Sequence, residues 1–337
     1  MATDFRSDTV TRPGDAMREV MAKAAVGDDV FGDDPSVNAL ETEVATLLGF
    51  DAGLFVPSGT QSNLIAVMTH CARGDEYIVG QQAHTYRYEA GGAAVLGSVQ
   101  PQPIDNAPDG TLPLEAVEGA IKPDDSHFAR TRLVAIENTI GGRVLPAGYT
   151  QSLHELADHR GLKLHLDGAR LWNAAVKQGI APREIARDFD SVSVCLSKGL
   201  GAPVGSVLCG SRDFIAAARR WRKMLGGGMR QAGILAAAGR YAIAHNIARL
   251  AEDHALAQTL AAGLARHSEL SVSTPQTNMI FVGVPKALAE RFAAHLAAGE
   301  VLVTGTTQQR WVTHLDVGRS DVDRALAVVG DFFKNAA

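Results

Sequence analysis

Short apolar runs alternate with stretches of helical periodicity between about residue 50 and residue 210 of this 337-residue chain. Each run has the length of one buried strand, and each is followed by apolar spacing typical of an amphipathic helix. The alternation predicts an α/β fold in which helices cover a mostly parallel sheet. The predicted strands are residues 53–57, 76–80, 132–137, 162–167, 191–197 and 204–209.

A different pattern follows three consecutive glycines at positions 226–228. Residues 231–266 are rich in alanine and leucine and predict a helix that leads into a second domain. Residues 277–282 and 309–313 then predict strands, and Ser320 is expected to cap a last helix whose first turn is acidic. The sequence therefore predicts a large domain, residues 1–246, and a small α+β C-terminal domain, residues 247–337.

Composition excludes several classes of protein. The 37 acidic and 32 basic residues are interspersed and give a net charge of -5, which argues against a nucleic-acid partner. The three cysteines show neither disulfide nor metal-ligand spacing, so we expect reduced thiols, a cytoplasmic location and no metal site. The polar N-terminus and the lack of a long apolar run predict neither a signal peptide nor a membrane span.

Polar residues directly after the predicted strands are the candidates for chemistry, because ligands of parallel sheets gather beyond the carboxyl ends of the strands. These residues are Ser58, Gly59, Thr60, His84, Glu137, Asp167 and Lys198. Lys198 ends an apolar run, where a partly desolvated amine can attack a carbonyl group. On that run alone, a solvated lysine that opens a glycine-rich loop is the simpler interpretation.

Asp167 ends the strand before, 31 residues upstream of Lys198. A buried carboxylate there can keep a pyridinium nitrogen protonated, which makes a pyridoxal ring an electron sink. An Asp-Gly pair after a strand is otherwise a common turn, but its place one strand-helix unit before the lysine favours the cofactor. Free amides after Ser58, Gly59 and Thr60 would suit the phosphate, with an ordinary helix cap as the alternative. Nucleotide-binding patterns are absent from the sequence.

Two histidines and two arginines complete the candidates. His84 could stack on a cofactor ring or move protons, and His127 is a second candidate for proton transfer. Arg170 and Arg310 are the predicted carboxylate clamp, because a planar guanidinium binds a carboxylate through two hydrogen bonds. A solvated side chain remains the alternative for Arg310.

Several motifs together closely resemble the low-specificity L-threonine aldolases, from residue 4 to about residue 330. They are the segments at residues 6–11, 27–35, 58–60, 165–170, 195–205, 226–231, 277–279 and 310–315. The resemblance implies the fold type I of pyridoxal-phosphate enzymes, which is aspartate-aminotransferase-like and has a mostly parallel seven-stranded-type sheet. It also implies a homotetramer of dimers with shared active sites, and retro-aldol cleavage of L-threonine or L-allo-threonine to glycine and acetaldehyde.

The same resemblance implies roles for individual residues. Lys198 would carry the cofactor, Asp167 would pair with its ring nitrogen, and His84 would stack over the ring. The phosphate would be held by Gly59 and Thr60. The remaining expected site residues are Ser7, Arg170 and Arg310 for the substrate carboxylate, His127 for the substrate hydroxyl, and Arg230 near the cofactor.

The chain departs from the family at Phe31, where most members have tyrosine, and at residues 140–142. Phe31 is expected at a dimer interface near a neighbouring active site, so substrate preference is the property in question. His84, His127 or a water molecule could each be the base. The alternatives to an aldolase are a transaminase or β-eliminating lyase on the same fold and a non-catalytic pyridoxal-binding protein.

Overall fold

The structure, a computed structural model, describes residues 2–336, which form twelve strands and fourteen α-helices. The strands are β1 Thr3–Asp4, β2 Ala52–Val56, β3 Glu76–Gly80, β4 Gln100–Ile104, β5 Thr131–Glu137, β6 Lys163–Gly168, β7 Ser191–Cys195, β8 Ser206–Gly210, β9 Ser271–Val272, β10 Met279–Gly283, β11 Val301–Leu302 and β12 Gln308–Val312. The helices are α1 Asp15–Ala22, α2 Pro35–Leu48, α3 Gly59–His70, α4 His84–Arg87, α5 Gly92–Val95, α6 Leu114–Ala120, α7 Tyr149–Arg160, α8 Leu171–Gln178, α9 Pro182–Ala186, α10 Arg212–Met224, α11 Gly233–Asn246, α12 Leu250–Leu264, α13 Lys286–Ala298 and α14 Arg319–Ala336.

A seven-stranded sheet organises the N-terminal part in the order β2-β8-β7-β6-β5-β3-β4. Strand β8 is antiparallel to both of its neighbours, and the other pairs are parallel. The prediction of a mostly parallel α/β sheet is confirmed. Strands β3, β7 and β8 are buried along their whole length, as expected where helices cover both faces of a sheet.

One strand of this sheet was missed by the sequence analysis. Strand β4 contains Pro101 and Pro103, which cannot donate backbone hydrogen bonds and therefore argue against a strand. The strand lies at the edge of the sheet and pairs only with β3. An edge position tolerates these prolines because one side of the strand has no ladder to complete.

Two helix predictions were wrong in detail. The predicted helix over residues 231–266 is two helices, α11 and α12, because α11 packs on α1 and α2 whereas α12 packs on α8 and α14. The last helix begins at Arg319, one residue before the predicted cap Ser320. A residue of the first turn bonds the preceding backbone instead, since Asp321 Oδ2 accepts a hydrogen bond from the Gly318 amide at 2.9 Å.

A second apolar core lies in the C-terminal part, between α12, α13, α14 and the small sheet β12-β10-β9. The N-terminal strand β1 joins this part, because Thr3 pairs with Val301 and Phe5 packs 5.4 Å from the ring of Trp311. The division at residues 246 and 247 remains a prediction, and β1 pairs across it. Within the described residues, no helix combines the length and the hydropathy needed to cross a membrane.

Candidate active site

One open cleft of about 760 Å³ at the carboxyl edge of the large sheet collects half of the predicted site residues. Predicted site residues that line it are Ser58, Gly59, Thr60, His84, Asp167 and Lys198. The cleft forms because the parallel strands β5, β6 and β7 end side by side, and α3 begins at the same edge.

Lys198 lies three residues beyond the buried end of β7 and is half-buried. Its carbonyl oxygen accepts a hydrogen bond from the Gly201 amide at 2.8 Å and lies 2.9 Å from Thr11 Oγ1. These contacts fix the backbone at the lysine from both the following loop and the N-terminal segment. The amine is therefore carried on an ordered loop at the edge of the cleft.

Asp167 is 3% exposed at the end of β6. Its Oδ1 accepts a hydrogen bond from the Ala169 amide at 3.1 Å, and its Oδ2 accepts one from Asn63 Nδ2 at 2.9 Å. A carboxylate oxygen has two acceptor sites, so each oxygen keeps one for a ligand. Asn63, on α3, was not found by the sequence analysis because it follows no strand.

His84 is held from two sides. Its Nδ1 lies 2.9 Å from Glu89 Oε1, and its backbone amide donates to Glu137 Oε2 at 2.9 Å. The hydrogen bond to Glu89 raises the pKa of His84, while burial raises the pKa of Glu89. Burial and the neighbouring Asp167 raise the pKa of Glu137 to about 7. Glu89 is a second site residue that the sequence analysis missed.

The start of α3 is the predicted phosphate site. Ser58 is the N-cap, and its Oγ accepts from the Gln61 amide at 3.1 Å, so the helix-cap interpretation of Ser58 holds in the structure. This cap leaves the amides of Gly59 and Thr60 for a ligand. A Cβ atom at Gly59 would lie 2.8 Å from Cys195 Sγ, so the backbone approaches β7 as only glycine allows.

The two predicted clamp arginines differ in their partners. Arg170 donates from Nε and Nη2 to the two carboxylate oxygens of Asp8, at 2.8 and 2.6 Å. Arg310 donates from Nη2 to the Arg6 carbonyl at 3.1 Å, and its buried Nε has no hydrogen-bond partner in the described part of the chain. Burial and the charge of Arg170 lower the pKa of Arg310. Two adjacent cations with an unused donor favour an anionic ligand.

Ser7 lies in the chain between Arg6 and Asp8, the partners of the two arginines, but its side chain is engaged locally. Its Oγ accepts hydrogen bonds from the amide and the hydroxyl of Thr9, at 3.2 and 2.9 Å. The hydroxyl proton of Ser7 is not used in these contacts, so it can still be donated to a substrate oxygen. Its assignment to the substrate carboxylate remains a prediction.

Six predicted site residues do not line this cleft: Ser7, Arg170 and Arg310, described above, and His127, Arg230 and Phe31. The His127 side chain is 83% exposed and bonds to Asp125, 2.6 Å away. Arg230 pairs with Asp28 at 3.0 Å. Phe31 is 77% exposed on a short turn after Asp28. The roles predicted for these residues remain predictions.

Comparison with known proteins identifies the class. Residues 4–287 match the family model "Beta-eliminating lyase", which places the chain among pyridoxal-phosphate enzymes of fold type I. The solved structure of Leishmania major threonine aldolase superposes with a TM-score of 0.85 at 24% identity, covering 98% of this chain and 99% of that one. At that identity, the likeness shows the fold alone.

Sequence relatives narrow the class further. A low specificity L-threonine aldolase of Escherichia coli (strain K12) is 56% identical over 324 residues, which cover 96% of this chain and 97% of the relative. Low-specificity L-threonine aldolase 1 of Arabidopsis thaliana is 47% identical over 339 residues, 97% of this chain and 95% of the relative. The chain belongs to the low-specificity L-threonine aldolases, and the family resemblance is confirmed.

Proposed function

We propose that this chain is a pyridoxal-phosphate-dependent aldehyde-lyase that cleaves L-threonine, L-allo-threonine and related β-hydroxy-α-amino acids. The Cα–Cβ bond breaks to give glycine and an aldehyde such as acetaldehyde. The observation that carries the proposal is the single cleft lined by Lys198, Asp167 and His84. The names of relatives up to 56% identical specify the substrate class.

The residues present fit the cofactor. Gly59 is packed so closely on Cys195 that a side chain is excluded, which leaves the open amides of Gly59 and Thr60 for a phosphate. Lys198 would bind the cofactor covalently, and the buried Asp167 carboxylate would face its ring nitrogen. When bound, pyridoxal phosphate supplies an electron sink for the pair of electrons released by bond cleavage.

Arg310 and Arg170 bind and orient the substrate carboxylate. Arg310 offers its unpartnered Nε, and Arg170 keeps Nη1 after committing its other two nitrogens to Asp8. A carboxylate fixed at this point restricts rotation about the bond between the substrate's nitrogen and Cα. That rotation decides which of the bonds to Cα is oriented for cleavage. Ser7 is placed in the same segment as Asp8 and would add one hydroxyl donor.

His84 moves the proton. Glu89 occupies Nδ1, so Nε2 is the ring nitrogen left for the substrate. Nε2 accepts the β-hydroxyl proton while the Cα–Cβ bond breaks and the hydroxyl carbon becomes a carbonyl carbon. Glu89 stabilises the charged ring that results, in keeping with the raised pKa of His84.

A β-eliminating activity is the second candidate, and the description of the matching family model favours it. Such a lyase would release the β-substituent from Cβ without breaking the Cα–Cβ bond. Purified protein incubated with L-allo-threonine, with acetaldehyde coupled to NADH oxidation, separates the two reactions. Glycine and acetaldehyde in equal amounts are expected. Formation of ammonia and a 2-oxo acid without acetaldehyde would contradict the proposal.

His84→Asn tests the base and His127→Asn is its matched control. We expect the rate of His84→Asn to fall by about a hundredfold or more, the range for a positioned acid-base group. His127→Asn should change the rate less, because its exposed ring lies outside the cleft of its own chain. Equal losses in both variants would contradict the assignment of the base to His84.

We further propose a homotetramer that works in the cytoplasm. The exposed Phe31 and Met224, 77% and 71% accessible, support burial against other copies. The turn that carries Phe31 is anchored by the buried ion pair between Arg222 and Asp29, 2.9 Å apart. The exposed Phe31 ring therefore lies on an anchored turn. The three free, buried cysteines support a reducing compartment. A sedimentation mass of one or two chains would contradict the tetramer.

A further inference from the structure

A chain of buried hydrogen bonds leads away from Asp167 into the protein. Asn63 Nδ2 lies 2.9 Å from Asp167 Oδ2, and Asn63 Oδ1 lies 3.2 Å from His165 Nε2. His165 Nδ1 lies 2.9 Å from Ser191 Oγ, which in turn lies 2.7 Å from His70 Nε2. This hydrogen-bond chain begins at Asn63 on α3, crosses His165 on β6 and Ser191 on β7, and returns to α3 at its last residue, His70.

The donors in this chain all point towards Asp167. Asn63 Nδ2 faces two carboxylates, those of Asp167 and Glu89, so the amide must present its two N–H groups to them. Asn63 Oδ1 then accepts from His165 Nε2. Burial lowers the pKa of His165 to about 3, so the ring is neutral, and because its one proton lies on Nε2, which donates to Asn63, Nδ1 is an acceptor.

The rest of the direction follows from that tautomer. Because His165 Nδ1 is an acceptor, Ser191 donates its hydroxyl proton to it. The Ser191 hydroxyl proton is then used, so Ser191 Oγ accepts a hydrogen bond from His70 Nε2. Burial lowers the pKa of His70 to about 4, so the His70 ring is neutral and its one proton lies on Nε2. His70 is fixed in turn by stacking on Phe214, with 4.5 Å between ring centroids.

We propose that Asn63, His165, Ser191 and His70 form a polarised hydrogen-bond chain that holds the Asp167 carboxylate aimed at the cofactor's ring nitrogen. His165, Ser191 and His70 are positioning residues, since they do not line the cleft, whereas Asn63 lies at its edge and connects them to Asp167. Each donor in the series strengthens the next, and the last one acts on the carboxylate. The inference rests on the proposed function only in taking the ligand to be pyridoxal phosphate.

Helix α3 connects this hydrogen-bond chain to the predicted phosphate site. The amides at its first turn lie at the phosphate end of the cleft, and Asn63, one turn later, bonds to Asp167. One rigid helix therefore spaces the phosphate site from the ring-nitrogen site. A shift of α3 that weakens the contact with Asp167 should weaken cofactor binding as well as catalysis.

Ser191→Ala tests the chain, and Ser193→Ala is its matched control. Both serines are fully buried on β7 two residues apart, but Ser193 Oγ has no hydrogen-bond partner within the described residues. We expect Ser191→Ala to weaken binding of pyridoxal phosphate to the apoprotein by about three- to tenfold, the worth of one hydrogen bond. The kcat should fall by a similar factor with KM for L-allo-threonine unchanged, and Ser193→Ala should stay within about twofold on both measures.

A second pair of variants separates position from packing. His165→Leu removes the donor to Asn63, whereas His165→Gln can still place an N–H group near Asn63 Oδ1. Cofactor affinity lost in the leucine variant should return largely in the glutamine variant. If the wild type binds pyridoxal phosphate and is active, and Ser191→Ala has the same cofactor affinity and kcat, this inference is overturned and the proposed function is not. A wild type that binds no pyridoxal phosphate would overturn the proposed function and the inference with it.

Discussion

Asp8 meets Arg170 with both carboxylate oxygens, 2.8 Å from Nε and 2.6 Å from Nη2. Asp8 is fully buried, and the pair joins the N-terminal segment to the loop after β6. Burial opposes ionisation of Asp8, but the charge of Arg170 outweighs it and lowers the pKa of Asp8 to about 2. The guanidinium is therefore oriented before any substrate arrives.

Asp8→Asn should lower the free energy of unfolding at neutral pH by about 3 kcal/mol, because Arg170 is left as a buried, unpaired charge. The folded pKa of about 2 lies below the value of about 3.9 for an unfolded aspartate, so the contribution is present above that value and is lost as the pH falls towards 2. Melting temperatures of both proteins between pH 2 and pH 7 measure it. Asp323→Asn, which breaks an exposed ion pair with Arg319, is the control and should cost less than about 1 kcal/mol. A difference that grows towards acid pH would contradict the assignment.

Lys198 should be the residue that carries the cofactor. Purified protein is expected to be yellow, and borohydride should remove the visible absorbance while fixing the mass of the cofactor on the peptide that contains Lys198. Peptide mass spectrometry locates the label. Label on Lys163 or Lys177 instead would place the site away from the cleft, and Lys198→Ala is the control that should take up none.

Asp167→Asn should retain the fold and lose the charge that stabilises a protonated ring nitrogen. Removal of one preorganised electrostatic group costs about a hundredfold in rate or more. Steady-state kinetics with L-allo-threonine measure the loss, and circular dichroism checks the fold. A rate within threefold of wild type would remove Asp167 from this role.

Arg310→Lys keeps the positive charge but loses the planar pair of donors, including the unpartnered Nε. Catalytic efficiency should fall by about 2 kcal/mol, mostly as a higher KM for the amino acid. Arg319→Lys, at an exposed position, is the matched control and should have no effect. An unchanged KM in Arg310→Lys would leave Arg170 as the whole clamp.

Phe31→Tyr restores the side chain usual in the family. Because Phe31 is 77% exposed in its own chain, a new hydroxyl acts only where another copy approaches it. The efficiency, or the preference between L-threonine and L-allo-threonine, should change by about 0.5 to 1.5 kcal/mol, the net worth of one hydrogen bond. Kinetics with both diastereomers measure the change. Identical kinetics with an altered melting temperature would show that Phe31 serves packing alone.

The sequence predicted the parts of the site that follow from strand direction. Lys198 and Asp167 could be found because each ends an apolar run, and parallel strands bring such ends to one edge. Glu89 and Asn63 could not, because their roles depend on contacts that no local pattern marks: Asn63 bonds to a residue 104 positions away. Asp8 was visible only as part of a motif, and its partner Arg170 lies 162 positions along the chain.

The N-terminal strand β1 has a mechanical consequence. Asp4 pairs with Leu302, Asp8 bonds to Arg170 four residues later, and Thr11 lies 2.9 Å from the Lys198 carbonyl. Only three residues lie between Asp4 and Asp8, and each residue of an extended chain spans at most about 3.6 Å, so the connection between the two contacts is short. A displacement of the C-terminal part relative to the large sheet would therefore act on Asp8 and, through it, on the Arg170 guanidinium. The N-terminal segment therefore ties the position of the C-terminal part to the position of Arg170, the residue proposed to bind the substrate carboxylate.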